Sequence, residues 1–130
     1  MRGNGIGLFF KTGGQLIRIE RNAITGNGGG VLIWTADIDL GGGPAGSTGN
    51  NLLAWNSDAD LIVMEPVAVS ATNNTWNHVP PTVYAEQNSS AKPDGVDIWR
   101  VWGNGTVKTS GAKLALTLHA VPSIPISLNP

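Results

Sequence analysis

The segment Lys113-Leu114-Ala115-Leu116-Thr117-Leu118-His119 alternates apolar and polar residues with a period of two, and that period dominates the chain. Successive side chains of a strand point to opposite faces, so Leu114, Leu116 and Leu118 share one face of a half-buried strand. No stretch shows a helical period. Runs rich in strand formers recur at Leu8–Lys11, Gln15–Glu20, Val31–Ile38, Leu52–Trp55, Leu61–Ala71, Val96–Trp102 and Thr106–Thr109, with Gly, Pro, Asn or Asp between them. Thr12-Gly13-Gly14 and Gly103-Asn104-Gly105 read as hairpin turns, because Asn-Gly and Gly-Gly accept positive φ. Leu61 to Ala71 is apolar on both faces early, which suits a central strand. Pro66 cannot donate to a ladder and marks a bulge or an edge. These signals predict an all-β domain over residues 1–121, a jelly-roll-like β-sandwich. The tail at 122–130 carries three prolines among alternating apolar residues. It predicts an extended arm that docks Ile124, Ile126 and Leu128 on a neighbouring subunit.

Composition narrows the function classes. The chain has 130 residues and no Cys, so a disulfide framework and thiolate metal sites are excluded. Only 13% of residues are charged and the net charge is −1. A nucleic-acid binder usually carries a basic stripe, so no nucleic-acid partner is expected. No run approaches the length of a membrane-spanning helix, and no membrane partner is expected. MRGNGIGLFF lacks the long apolar core and cleavage site of a signal peptide.

The densest acidic cluster is Trp55-Asn56-Ser57-Asp58-Ala59-Asp60. Asn56, Asp58 and Asp60 alternate like the first ligands of a helix-loop-helix calcium loop. Leu61 then stands where that loop needs Gly, and Val67 where it needs Glu. The minority reading is a looser calcium site on Asn56, Asp58 and Asp60, with Asp37 or Asp39 assisting. The other reading is a polar turn whose side chains bond local backbone. No cofactor is expected. Nine acidic residues always place some pair close together, so no carboxylate pair points to a glycosidase. His78 and His119 are the two histidines, and no Gly-x-Ser-x-Gly elbow accompanies them. The chain is expected not to be an enzyme.

Five Trp stand against one Tyr and two Phe. Trp76, in Asn73-Asn74-Thr75-Trp76-Asn77, sits in a polar stretch. A carbohydrate- or receptor-binding site there would use Trp76 with Asn73, Asn74 and Asn77, and with Trp99 and Asp97. Trp102 shares its strand face with Val96 and Ile98 and is expected in the core.

The order Ala36–Leu40, a Gly/Ala/Ser/Thr loop, Leu52-Leu53-Ala54-Trp55-Asn56, a short acidic turn, then Leu61–Thr72 resembles small β-sandwich structural proteins of tailed bacteriophages, of the decoration and fibre type. The resemblance covers residues 31–72. It implies a non-enzymatic virion protein that binds itself, as a dimer or trimer, and other virion proteins, with a glycan as the alternative ligand.

Overall fold

The computed structural model describes residues 2–11, 13–35 and 37–116. Its strands fall into three sheets. The first holds β1 (Ile6–Phe10), β4 (Gly29–Ile33), β7 (Ala59–Val63), β11 (Val96–Arg100) and β10 (Val83–Tyr84), in that spatial order. The second runs from β2 (Ile17–Arg18) through β5 (Ile38–Gly41) and β8 (Ala68–Ala71) to β12 (Thr106–Lys108). The third runs from β3 (Ala23–Ile24) through β6 (Leu52–Leu53) and β9 (Thr75–Trp76) to β13 (Lys113–Leu114). Every ladder among them is parallel.

The chain therefore visits the three sheets in turn and starts again one layer further along. Each circuit is a coil, and four coils stack into a parallel β-helix. The expected all-β class holds. The jelly-roll sandwich does not describe this topology, because a jelly roll is built from antiparallel pairs. The hairpins expected at Thr12–Gly14 and Gly103–Gly105 would pair β1 with β2 and β11 with β12, but the strands of each pair lie in different sheets. Pro66 lies at a corner, between β7 and β8. There its missing N–H costs no ladder bond. β7 is central, as expected, being the middle strand of the first sheet.

All three sheets turn one face inward. Val31, Leu61 and Ile98 come from the first, Ile38, Leu40 and Val69 from the second, and Ile24, Leu53 and Trp76 from the third, and all nine are buried in one core. A second cluster lies on the outer face of the first sheet, where Ala59, Ile62, Val96 and Val101 pack with Leu32, Met64, Tyr84 and Trp99. The excursion between β9 and β11 crosses that face. Trp99 donates its indole N–H to the Glu86 carbonyl at 2.7 Å. Lys92 lies over the Trp99 ring, 5.4 Å from its centre, and donates to the Asp58 carbonyl at 2.7 Å.

Two corners repeat from coil to coil with an asparagine in place. Arg21, Asn50 and Asn73 adopt φ of 58°, 58° and 59°, and an Asn follows each. The Asn22 backbone N–H donates to Asn51 Oδ1 at 3.1 Å, and that of Asn51 to Asn74 Oδ1 at 3.0 Å. At the other corner the Asn4 N–H donates to Asn27 Oδ1 at 3.1 Å, and that of Asn27 to Asn56 Oδ1 at 3.0 Å. These side chains satisfy the corner N–H groups, which the parallel ladders leave unbonded.

The last coil departs from the expected Lys113–His119 strand. β13 ends at Leu114, and Leu114 and Leu116 are exposed rather than inward. Residues 117–119, and the arm at 122–130 with Ile124, Ile126 and Leu128, lie outside the described residues.

Candidate functional site

The first sheet breaks its alternation at one position. Leu61 and Val63 of β7 face the inner core, while Ala59 and Ile62 belong to the outer cluster. Between Ala59 and Leu61 the sequence steps twice toward the inside, at Asp60. The ladder registers skip the same level on four of its five strands, at Gly7, Gly30, Asp60 and Asp97. In the first two coils the level is glycine. A Cβ at Gly30 would run into the Asp60 backbone carbonyl and press on the Asn56 amide. In the last two coils the level carries carboxylates, and both are fully buried.

Asp97 organises the start of the excursion. Its Oδ1 accepts the Asn77 N–H at 3.1 Å. Its Oδ2 accepts the Thr82 N–H at 2.8 Å and the Thr82 hydroxyl at 3.1 Å. The same Oδ2 lies 2.9 Å from His78 Nδ1, whose side chain is half-exposed. The Thr82 hydroxyl also accepts the Asp97 N–H at 3.0 Å. Asp60 lies one coil back. Its Oδ1 accepts the Asn56 N–H at 3.2 Å and the Asn56 amide at 2.9 Å, while its Oδ2 is buried without a hydrogen-bond partner among the described residues. Burial, aided by the neighbouring Asp97, outweighs the Asn56 bonds and pushes the Asp60 carboxyl up to about 8. Asp60 is therefore protonated at neutral pH. Above this cluster lies an open cleft of ≈ 310 Å³ lined by His78, Thr82, Tyr84, Pro93, Asp94 and Val96 among others.

The cluster can hold His78 in one orientation and pin residues 77–82 to the coil. It does not assemble a hydrolytic triad, because Thr82 bonds to Asp97 and not to His78. Neither buried carboxylate reaches solvent, so neither can touch a substrate.

The residues of the looser calcium reading do not converge. Asn56 and Asp60 bond each other inside the coil, while Asp58 faces outward and pairs with Lys92 Nζ at 2.7 Å. Asp39 binds the Gly41, Gly43 and Ser47 N–H groups at 2.9, 2.9 and 3.0 Å. Asp37 accepts the Gly14 N–H at 2.7 Å. Among the described residues no group of three or more His, Cys, Asp or Glu side chains could hold a metal ion.

The aromatic expectations change places. Trp76 is fully buried in the core, and its neighbour Asn74 is a ladder residue with no exposed surface. Asn77 Oδ1 accepts the Trp55 N–H at 2.9 Å, and Asn73 is the positive-φ corner residue. That set cannot form a binding face, because β9 turns Trp76 inward. Trp76→Ala is expected to cost about 3–5 kcal/mol of stability through the cavity it leaves, read by denaturant titration, with no ligand needed to see it. Trp102, expected in the core, is 52% exposed instead. It lines an open cleft of ≈ 270 Å³ with Glu65, Pro66 and Asn104. β11 ends at Arg100, so face parity no longer governs Trp102. The Asp60–Asp97–His78 cluster itself was hidden in the sequence, where the three residues stand far apart.

Residues 1–83 match the model of a family described as a protein of unknown function, DUF1565. The chain belongs to the DUF1565 family. The matched stretch spans the first three coils and both asparagine ladders, with Asp60 and His78 inside it and Asp97 and Trp102 beyond it. No curated protein and no solved structure matches this DUF1565 chain.

Proposed function

We propose that the chain is a non-enzymatic structural module of a virion, working through contacts with copies of itself and with other virion proteins. The observation that carries the contact role is the outer face of the first sheet. Phe9, Leu32, Ile62 and Trp99 occupy one level of successive strands, and Tyr84 follows on β10. Phe9 is 52% exposed, and Trp34, next to that face in sequence, is 38% exposed. Ile62 is buried beneath the excursion, so the open part of the row is its Phe9 end, where Phe9 and Trp34 offer a small apolar patch for lateral packing. The burial of Asp60 and Asp97 supports the non-enzymatic half. The virion setting rests on the strand and turn pattern of residues 31–72. Detection of the chain on purified particles, together with sedimentation showing oligomers that Phe9→Lys weakens, is the expected result. A monomer at all concentrations that is absent from particles would overturn the proposal.

A second reading, carbohydrate binding, is favoured by Trp102. An exposed indole flanked by the Glu65 carboxylate and the Asn104 amide offers a stacking platform with polar groups at its rim. Glycan-array binding that Trp102→Ala abolishes, with the fold intact, is the outcome expected if it holds. Binding that survives the substitution would count against this site.

A further inference from the structure

Two successive turns of the coil build the cleft at Trp102. One joins β7 to β8 and carries Glu65 and Pro66; the other joins β11 to β12 and carries Trp102 and Asn104. Both turns are held by their own backbones. The Val67 N–H donates to the Glu65 carbonyl at 2.7 Å, and the Thr106 N–H donates to the Val67 carbonyl at 3.0 Å. The Gly103 N–H donates to the Arg100 carbonyl at 3.0 Å, with Gly103 at a φ of 74°. The Arg100 guanidinium donates to the Gly103 and Gly105 carbonyls. A Cβ at Gly105 would lie 2.8 Å from the Val67 carbonyl oxygen, so only glycine lets the two turns meet this closely. Walls fixed in this way lose little freedom when a ligand enters.

One wall does not suit a neutral ligand. Glu65 is half-buried, and among the described residues its carboxylate has neither a hydrogen bond nor an ion pair. Arg100, the cation of these two turns, is committed to the Gly103 and Gly105 carbonyls instead. A sugar ring laid on Trp102 would cover the carboxylate further. Covering a charge without pairing it costs affinity.

From these observations we infer that the cleft takes an amino sugar, a pyranose that carries a protonated amine. The inference rests on the carbohydrate reading of the Trp102 cleft and adds the charge of the ligand. The indole stacks on the apolar C–H face of the ring. The Glu65 carboxylate accepts hydrogen bonds from the ammonium, and the Asn104 amide serves a ring hydroxyl. The indole face attracts the same ammonium. An acidic sugar is disfavoured, because its carboxylate would meet that of Glu65.

Isothermal titration at about pH 6, where the sugar amine is protonated, compares methyl glucosaminide, its N-acetyl derivative and methyl glucoside. The glucosaminide is expected to bind about five- to ten-fold tighter than either neutral sugar. That preference is expected to shrink as salt rises. Glu65→Gln keeps the shape of the wall and is expected to leave the fold intact by circular dichroism. It should bring the three affinities level without weakening the neutral sugars. Trp102→Ala should abolish binding of all three. Equal affinities in the wild type would overturn the inference and leave the carbohydrate reading standing. So would a preference that survives Glu65→Gln. No binding of any of the three at millimolar concentration would overturn both. A lysine amide that binds as tightly as the glucosaminide would assign the cleft to alkylammonium groups without a sugar ring, and would overturn the inference too. The virion proposal does not enter this test.

Discussion

Replacing Asp60 by Asn is expected to stabilise the fold at pH 7 by about 2–4 kcal/mol and to remove a slope in its pH dependence. The Asp60 carboxyl is raised from 3.8 to about 8, first by burial and then by its contact with Asp97. Between those values the folded protein holds a proton that the unfolded chain has released. Stability is then highest below the unfolded value, falls as pH rises through this window, and levels off above the folded value. At pH 7 the cost is about 1.4 kcal/mol for each of roughly three units, near 4 kcal/mol at most. Asparagine keeps an Oδ1 acceptor for the two Asn56 donors and places an N–H where the protonated oxygen stood. Urea titrations at pH 5 and pH 8 decide the matter. The wild type should lose stability between them, and Asp60→Asn should lose less. Parallel slopes for the two proteins would show that Asp60 ionises normally in the folded state.

The same residue shows why part of the fold was legible and part was not. Strand content, the central place of β7 and the turn-forming role of Gly and Asn all follow from local pattern. Parallel pairing does not, because a short strand reads alike in either orientation. The decisive signal was a repeat. Asn22-Ala23-Ile24, Asn51-Leu52-Leu53 and Asn74-Thr75-Trp76 each place an asparagine before a two-residue strand, at separations of 29 and 23 residues. Asn4, Asn27 and Asn56 recur at 23 and 29. Repeats at this period mark a solenoid. Unequal corner loops break the regular spacing, and coil four replaces the asparagine with Ala112. Trp76 was misplaced for the same reason. Of its polar neighbours, Asn74 is a buried ladder asparagine, Asn73 an exposed positive-φ corner residue, and Asn77 accepts the Trp55 N–H. Asp58 and Asp60 look equivalent in the sequence, yet the break of alternation at Asp60 sends one outward to Lys92 and the other into the core.

The excursion between β9 and β11 depends on a single carboxylate, and Asp97→Ala is expected to cost about 3–5 kcal/mol. The substitution strands the Asn77 and Thr82 N–H groups and the Thr82 hydroxyl, and it frees His78. It also removes one of the influences that raise the Asp60 carboxyl, which returns a fraction of the loss above pH 5. The two effects separate in a double-mutant cycle with Asp60→Asn, because residues that share a network couple while distant ones add. Hydrogen exchange gives the spatial reading. The Asn77 and Thr82 amides should lose protection in Asp97→Ala, while the Asn22 and Asn51 amides of the ladder keep theirs. Asp97→Asn is the sharper variant. It preserves an acceptor for Asn77 but turns an amide toward the Thr82 N–H, setting donor against donor. It should therefore destabilise almost as much as alanine despite its matching shape. An Asp97→Asn protein as stable as the wild type would mean that the carboxylate's charge and second acceptor do not hold the excursion, and that packing of Tyr84, Lys92 and Trp99 on the outer face does so alone.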